Sequence, residues 1–311
     1  MKSFKTCALL CLLVSPAAAQ TPATQGGEGI LLLAHGGQRD WNDRVLALAA
    51  VVNESQPVEV AFGMASRPTI QSAIDRLAAR GVTSIVAVPL FISSHSSVVT
   101  STAYLLGVRA EMPPELKIFA KMNHGAHAAG HEGHEMPAGA ATDNARPADL
   151  RVPVRMTAAL DRHPAVGAIL TDRVRAISQP AADEAVIVVA HGPVPEDDNQ
   201  RWLADMQVLA GQIGGAAPFA AIDYLTLRDD APKAIRDGAT AELRGMVGRH
   251  VSAGRRVLIV PLLLSYGGIE KGIRQRLEGL DYAMANDALM PDARLAEWVR
   301  ASATQSRPRA Q

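Results

Sequence analysis

Short apolar runs alternate with amphipathic stretches along this chain, a pattern typical of parallel α/β proteins. Ile30–Ala34, Val58–Phe62 and Ser84–Ile92 predict strands, and the first is apolar without the two-residue alternation of a half-exposed strand. Between them, Trp41–Glu54 and Pro68–Arg80 carry apolar residues at helical spacing. Strand and helix alternation predicts right-handed crossovers, parallel sheets and ligands at the carboxyl ends of the strands.

The second half of the chain repeats this order. In the first half, the pattern also predicts a strand at Leu116–Ala120 and helices at Val98–Arg109 and Pro164–Ser178. In the second half, it predicts strands at Ala185–Ala190, Phe219–Leu225, Val257–Leu264 and Tyr282–Ala285, and helices at Asn199–Ile213, Pro232–Val251, Ile269–Leu277 and Asp292–Ala303. The repetition predicts an α/β fold of two tandem lobes with parallel sheets and a cleft between them.

Each half also carries the tripeptide AHG directly after its first strand. ILLLAHGG (Ile30–Gly37) and VIVVAHGP (Val186–Pro193) are the two copies. The first half has a second histidine at the end of VAVPLFISSH (Val86–His95), whereas the equivalent run VLIVPLLLSYGG (Val257–Gly268) has none. The duplication therefore predicts a two-histidine site in one lobe only, with His191 as the remaining copy.

His35 and His95 follow predicted parallel strands, so we expect both to lie at one edge of a sheet. Neutral imidazole binds divalent Co, Ni, Fe or Zn and accepts protons near neutral pH. Gly36 is expected to leave room for a flat ligand near the backbone. The alternative is that His35 only caps a strand end by bonding a nearby carbonyl group.

The composition of the chain argues against nucleic-acid binding and against attraction to an acidic membrane. Lys plus Arg and Asp plus Glu are both 31 among 311 residues, so no net charge attracts nucleic acid or an acidic membrane. Aromatic residues make up 4% of the chain, which disfavours a base-stacking surface for nucleic acid. Hydrophobic residues make up 48%, enough for a sizeable core, and no segment reaches the length of a transmembrane helix.

Residues 1–19 have the features of a secretory signal peptide. Lys2 and Lys5 precede a short apolar stretch, and Ala17–Ala19 form an A-x-A type cleavage site. We therefore expect a periplasmic protein whose mature chain starts near Gln20. Both cysteines, Cys7 and Cys11, lie in this segment, so the mature chain would contain no disulfide and no thiolate ligand.

A segment rich in Ala, Gly, His and Pro, residues 123–150, interrupts the first half and predicts a disordered insert. It begins with NHGAHAAGHEGHEM, in which His124, His127, His131 and His134 recur every three or four residues. A tract of this kind can collect metal ions as a flexible arm. The alternative is a solvated linker with accidental histidines.

Taken in order, these segments resemble the class II chelatases of the sirohydrochlorin cobaltochelatase and ferrochelatase type. The resemblance covers nearly the whole mature chain. It depends on both AHG runs, on Val58–His95, on DRHPAVGAILTDRV (Asp161–Val174) and on VLIVPLLLSYGGIEKGI. It implies two chelatase-like, flavodoxin-like lobes around a cleft, and insertion of a divalent metal into a tetrapyrrole without any nucleotide.

The resemblance also implies residue roles. His35 and His95 would bind the metal substrate, Co²⁺ or possibly Fe²⁺ or Ni²⁺, and accept the pyrrole protons. His95 lies six residues past Pro89 rather than at Ser97, where the family usually has its histidine, and Met64 replaces an acidic residue. These two differences favour a second hypothesis, a periplasmic metal or haem carrier on a chelatase scaffold that does not turn over.

Carboxylate arms of a tetrapyrrole require cationic partners. Arg39, Arg67, Lys271 and Arg274 follow predicted strand ends and are candidates, with ordinary surface charge as the alternative. The predicted domains are the signal peptide (1–19), a first lobe (29–122 and 151–179), the insert (123–150) and a second lobe (184–304). The sequence leaves the choice of metal, the tetrapyrrole and the oligomeric state open.

Overall fold

The computed structural model describes residues 27–121 and 144–305, which form two α/β lobes. The strands of the first sheet are β1 (Glu28–Ala34), β2 (Val58–Phe62), β3 (Ser84–Leu90) and β4 (Val154–Met156). The helices up to the end of this half are α1 (Arg39–Asn53), α2 (Arg67–Ala79), α3 (Ser97–Leu105), α4 (Leu116–Phe119) and α5 (Pro164–Arg175).

A short 3₁₀ turn, Ala181–Asp183, leads into the second half. Its strands are β5 (Glu184–Ala190), β6 (Ala221–Thr226), β7 (Arg256–Leu262) and β8 (Ala283–Met284), and its helices are α6 (Glu196–Ala216), α7 (Lys233–Ser252), α8 (Ile269–Arg276) and α9 (Ala293–Gln305).

The two sheets have the same topology. The strand order is β2-β1-β3-β4 in the first and β6-β5-β7-β8 in the second, and all pairs are parallel. Even the register agrees, because Ala34 pairs with Leu90 as Ala190 pairs with Leu262. The predicted α/β class with two tandem parallel lobes is thereby confirmed, and the residues that follow β1, β3, β5 and β7 occupy equivalent positions at the carboxyl edges.

The central strands are continuous apolar runs because both faces of each sheet are buried. Ile30, Leu32 and Ala34 face a core shared by the two lobes, whereas Leu31 and Leu33 face a second core behind the first sheet. The shared core also receives Val186 and other residues of the second sheet, so that helices α1, α5, α6 and α9 lie between the two sheets. Helices α2 to α4 cover the outer face of the first sheet, and α7 and α8 cover that of the second.

Two helices cross from one lobe to the other. Helix α5 packs against α6 and β7 of the second half, although it was assigned to the first lobe by its place in the sequence. Helix α9 packs in turn against α1 and β3 of the first half, and Arg155 donates to the carbonyl of Ala303 at 2.7 Å. Both helices therefore connect the lobes, and the domain bounds given above stay a prediction.

The predicted strand Leu116–Ala120 is wrong, because the segment forms the short helix α4. Leu116 and Phe119, three residues apart, are buried, whereas Ile118 between them is 59% exposed. The apolar run therefore follows helical and not strand periodicity.

The opposite error occurs at β4, which the sequence analysis missed. Its three residues pair only with β3 and are all partly buried, so they carry little apolar signal.

The predicted disordered insert also extended too far. Residues 144–150 pack on the first lobe, where the N–H of Ala148 donates to Leu105 at 2.7 Å and Ala148 itself is buried.

Two predicted segments, the signal peptide and the histidine-rich part of the insert, lie outside the described residues. Among residues 27–121 and 144–305, no helix combines the length and apolar character needed to cross a membrane.

Candidate metal-binding and catalytic site

His35 extends from the carboxyl end of β1 and is exposed to solvent. Its Nδ1 atom lies 2.6 Å from the carbonyl oxygen of Gly36. Because a carbonyl oxygen can only accept, Nδ1 must carry the proton in this hydrogen bond. Nε2 of the neutral ring then carries a lone pair with no recorded partner among the described residues, which is the state in which imidazole binds a metal or takes up a proton.

The turn that carries His35 is held rigidly. Gly36 has a φ of +81°, a left-handed conformation that glycine adopts without strain. Asn42 on α1 accepts from the N–H of Gly37 at 2.9 Å and donates to its carbonyl at 3.1 Å. The glycine predicted to make room for a ligand is thus required by the turn itself, and a Cβ atom at this position would lie in ordinary contact with the side chain of Phe62.

His95 is the next-to-last residue of the segment that follows β3, here called the His95 loop (residues 91–96), and it is partly buried. Two consecutive residues of α6 contact it across the cleft. The indole N–H of Trp202 donates to the carbonyl of His95 at 2.8 Å, and Arg201 Nη1 lies 3.5 Å from its Nδ1. The second half of the chain therefore positions the second histidine.

Within the first half, Asp161 fixes the same loop. Its carboxylate accepts from the backbone N–H of Ser94 at 2.6 Å and from the Ser94 hydroxyl at 2.7 Å. Asp161 itself has a φ of 43°, and the N–H of Ala159 donates to Ser94 Oγ at 2.8 Å. The loop is consequently held by both halves of the chain.

Besides Asp161, a second carboxylate lies close to this loop, that of Asp205 on α6. Burial and the neighbouring carboxylate of Asp161 raise the pKa of Asp205 above its usual value, against the opposing influence of Arg162 and His95. Arg162 Nη1 is 3.7 Å from Asp205 Oδ1, and the Asp205 side chain is 14% exposed. A perturbed acid beside a candidate site residue is a feature of functional sites.

The hydrogen bonds distinguish the two candidate histidines. Arginine has no acceptor atom, so Nδ1 of His95 must accept from Arg201 and the neutral ring carries its proton on Nε2. His35 carries its proton on Nδ1. At the same edge of the first sheet, one imidazole thus presents a free Nε2 lone pair and the other an Nε2–H donor.

His191 reproduces the backbone setting of His35 but has different surroundings. Its Nδ1 atom lies 2.9 Å from the carbonyl of Gly192, and its Nε2 atom lies 3.5 Å from a carboxylate oxygen of Asp230. A carboxylate therefore faces the nitrogen that is free in His35.

In the second lobe, residues 263–268 correspond to the His95 loop, and an acidic residue accepts hydrogen bonds from their backbone. Glu270 accepts from the N–H groups of Gly267 and Gly268 at 3.0 and 2.8 Å. Burial alone would raise the pKa of Glu270, but these backbone donors outweigh it and lower the pKa. The N–H groups of this loop are thus already bound to an anion of the chain itself.

Of the four predicted carboxylate-binding cations, three have the required accessibility. Lys271 and Arg274 are exposed, and the side chain of Arg39 is 91% exposed, with Asp43 at 3.7 Å. Arg67 differs. Its guanidinium donates to the carbonyl of Pro147 and to Asp149, and its side chain is only 13% exposed, so it holds the segment after the insert and is not retained as a candidate.

A pocket of about 280 Å³ lies beside the His95 loop between the two halves. Its walls are Ser97, Thr100, Arg109, residues 111–115, Pro195 and Asp198. Three of the lining residues are acidic and only Arg109 is cationic, and Arg109 is itself 3.8 Å from Glu111. An anionic arm of a substrate is therefore poorly matched to this pocket, which favours the exposed cations.

Within the described ranges, no three His, Cys, Asp or Glu side chains converge as a group that could hold a metal ion. Met64, in place of the acidic residue of the family, packs against the core behind the first sheet. The four histidines of the predicted arm, His124, His127, His131 and His134, lie outside the residues that the structure describes.

The sequence analysis missed the contribution of α6 to the site. Arg201 and Trp202 lie 106 and 107 residues from His95 in the sequence, and both occur within an ordinary amphipathic helix. A partial signal exists, since the Asn-x-Arg pattern of Asn42–Arg44 recurs at Asn199–Arg201, at a distance from the AHG tripeptide that differs by one residue.

Comparison with known proteins agrees with this architecture. The CbiX family model matches residues 29–177, which include β1 to β4 and both candidate histidines. Over these residues the chain matches the class II chelatase family that its sequence resembles. A curated member of this chelatase family, the sirohydrochlorin cobaltochelatase of Methanothermobacter thermautotrophicus, is 32% identical over 83 residues. That match covers 26% of this chain and 58% of the relative.

Solved chelatases share the fold over most of the chain. SirB from Bacillus subtilis with Fe³⁺ is 17% identical, with a TM-score of 0.59 over 90% of this chain and 97% of that one. The sirohydrochlorin chelatase SirB from Bacillus subtilis subspecies spizizenii in complex with cobalt is 14% identical, with a TM-score of 0.55 and the same two coverages. At these identities the likeness establishes the two-lobed chelatase fold.

Proposed function

We propose that this protein inserts a divalent metal ion, Co²⁺ or Fe²⁺, into a sirohydrochlorin-like tetrapyrrole without using a nucleotide. The observation that carries the proposal is the state of His35. It is an exposed imidazole at the carboxyl end of a central parallel strand, with its Nδ1–H bonded to Gly36 and its Nε2 lone pair free. The curated relative's name and the metals in the two SirB structures support the same reaction class.

The reaction requires two pyrrole N–H protons to leave as the metal ion enters. In the proposal, Nε2 of His35 accepts a pyrrole proton or holds the incoming ion, and solvent exposure lets the proton pass to water. His95 is the second residue of the site. Arg39, Lys271 and Arg274 would bind the carboxylate arms of the macrocycle.

The histidine-rich arm is proposed to raise the local supply of metal. Four histidines within eleven positions offer several ligands without a fixed geometry. We also propose that the protein is exported to the periplasm, on the signal-like features of residues 1–19.

A second function is a periplasmic metal or haem carrier on the chelatase scaffold. It is favoured by Met64, which packs into an apolar core where the resembling family has an acidic residue. A carrier retains the ion or macrocycle and needs no base for turnover.

One assay separates the two functions. Purified protein is mixed with sirohydrochlorin and Co²⁺, and the change in absorbance is followed against a protein-free control. Acceleration above the control supports the chelatase. A rate equal to the control, together with stoichiometric binding of Co²⁺ or haem in protein lacking residues 123–136, supports the carrier and contradicts turnover.

A further inference from the structure

Arg201 on α6 is the one residue whose guanidinium the structure places against the imidazole of His95 among the described residues. Its Nη1 atom lies 3.5 Å from Nδ1, and the same helix anchors the carbonyl of His95 through Trp202. The second half of the chain therefore contacts His95 at two points, one on its ring and one on its main chain.

This contact determines which nitrogen of His95 is available. Guanidinium only donates, so Nδ1 accepts and the proton of the neutral ring is on Nε2. A nitrogen that carries a proton can neither bind a metal nor act as a base. Nδ1, which has the lone pair, is covered by Arg201.

We infer that Arg201 is a positioning residue that keeps His95 unavailable to the metal until it moves away. This inference rests on the proposed function, in which His95 is the second ligand or base. The metal-free site then offers one ready imidazole, His35. His95 joins it through Nε2 only when Arg201 withdraws and the ring exchanges its proton through water, losing one from Nε2 and gaining one on Nδ1, with no change in charge.

The arrangement couples the site to the relative position of the lobes. Arg201 belongs to α6, which packs on α5 and β6, whereas His95 follows β3 of the first sheet. In the proposal, a change in the separation of the lobes on substrate binding changes the distance between these two side chains. The second lobe thereby acts on the chemistry of the first without supplying a ligand.

The chain contains a matched control. Arg44 on α1 follows Asn42 as Arg201 follows Asn199, and it crosses the cleft in the opposite sense. Its Nη1 atom donates to Ser265 Oγ at 3.2 Å and to the carbonyl of Met290 at 3.4 Å. Arg44→Leu removes an equivalent contact between the lobes without touching a histidine.

The first measurement is the tautomer of His95 in the metal-free, full-length protein, from ¹⁵N NMR of the imidazole rings. The His95 signals are assigned by their loss in His95→Ala. We expect Nε2–H in the wild type, in Arg44→Leu and in Arg201→Lys, which retains a donor, and a rise of Nδ1–H in Arg201→Leu. Nδ1–H in the wild type, or the same tautomer in the wild type and Arg201→Leu, would overturn the inference.

The second measurement titrates Zn²⁺ while following the His95 ring signals alone. The histidine-rich arm is present in every variant, so its competition for metal cancels in the comparison. Arg201→Leu should lower the metal concentration at half-saturation of His95 roughly three- to tenfold, the worth of a typical intramolecular hydrogen bond, and Arg44→Leu should leave it unchanged. Equal midpoints in all variants would contradict the inference.

These results are separable from the proposed function. The tautomer needs no substrate and no turnover, so a wrong tautomer removes the role of Arg201 and leaves the chelatase proposal intact. Expected NMR results without any acceleration of sirohydrochlorin metallation would contradict the chelatase and leave the role of Arg201 intact.

Discussion

The indole N–H of Trp202 donates to the main-chain carbonyl of His95 at 2.8 Å, joining a helix of the second half to the loop that carries a candidate site residue of the first. Trp202 is 9% exposed, so the hydrogen bond is shielded from water. Residues of both halves therefore position the candidate site, although both of its histidines belong to the first half.

Trp202→Phe should loosen this loop. It removes the only polar atom of the side chain, and we expect a loss of about 1–2 kcal/mol in the free energy of unfolding. A several-fold fall in metallation rate should accompany it, because small misplacements of catalytic groups are costly. Urea denaturation and the absorbance assay measure the two effects.

Trp298→Phe is the control, since Trp298 is 3% exposed on α9 and no hydrogen bond joins it to the His95 loop in the described part of the chain. It should reduce stability without reducing the metallation rate. A Trp202→Phe protein as active as Trp298→Phe would show that the hydrogen bond does not serve the site.

The lowered pKa of Glu184 predicts that the stability of the fold depends on pH. Burial alone would raise its pKa, but hydrogen bonds from Ser178, the N–H of Gln179 and Arg256 outweigh burial and lower it. A lowered folded-state pKa stabilises the fold above the carboxyl's unfolded pKa, and this stabilisation is lost as the pH falls through the folded pKa.

Glu184→Gln should therefore destabilise the protein by roughly 2–3 kcal/mol at pH 7, because the carboxylate is 1% exposed and bonded to a charged partner. The difference from wild type should shrink as the pH is lowered below about 4. Thermal unfolding across this range measures it, and a difference independent of pH would show that charge at Glu184 is not the cause.

Much of the fold could be predicted from the sequence because its central strands are buried on both faces. Val58–Phe62 has the predicted bounds, and β1, β3, β5 and β7 differ by one or two residues at their ends. Leu116–Phe119 was misread because four residues are too few to distinguish helical from strand spacing. β4 was missed because an edge strand of three partly buried residues has no apolar run.

The candidate site was predictable only where local sequence determines it. His35 and His95 follow strands, and the edge of a parallel sheet brings strand ends together. Contacts between distant segments left no such signal. Arg201 lies on a different lobe from His95, and the pairing of Arg67 with Asp149 depends on residues 144–150 returning to the first lobe.

Deleting residues 123–136 should separate metal supply from chemistry. The number of Co²⁺ or Ni²⁺ ions bound per chain should fall, because four histidines are removed, whereas the metallation rate at saturating metal should stay nearly unchanged. Equilibrium dialysis and the absorbance assay measure the two quantities. Equal stoichiometry with and without the arm would remove its proposed role.

The location of the protein is predicted from residues 1–19. Expression in a Gram-negative cell should yield mature protein in the periplasmic fraction with an N-terminus near Gln20. N-terminal sequencing of fractionated cells tests this. An intact Met1 on protein from the cytoplasm would contradict export.

The most direct test of the account compares His35→Ala with His191→Ala in the initial rate of cobalt insertion into sirohydrochlorin, in protein lacking residues 123–136 so that the arm cannot mask the result. His95→Ala is measured alongside. Loss of the free imidazole at His35, or of His95, should lower the rate by roughly 10²-fold or more if either acts as the base. His191→Ala should cost far less, because Asp230 and not the open cleft faces its Nε2 atom. A His191→Ala protein as impaired as His35→Ala would contradict a site centred on the histidines of the first lobe.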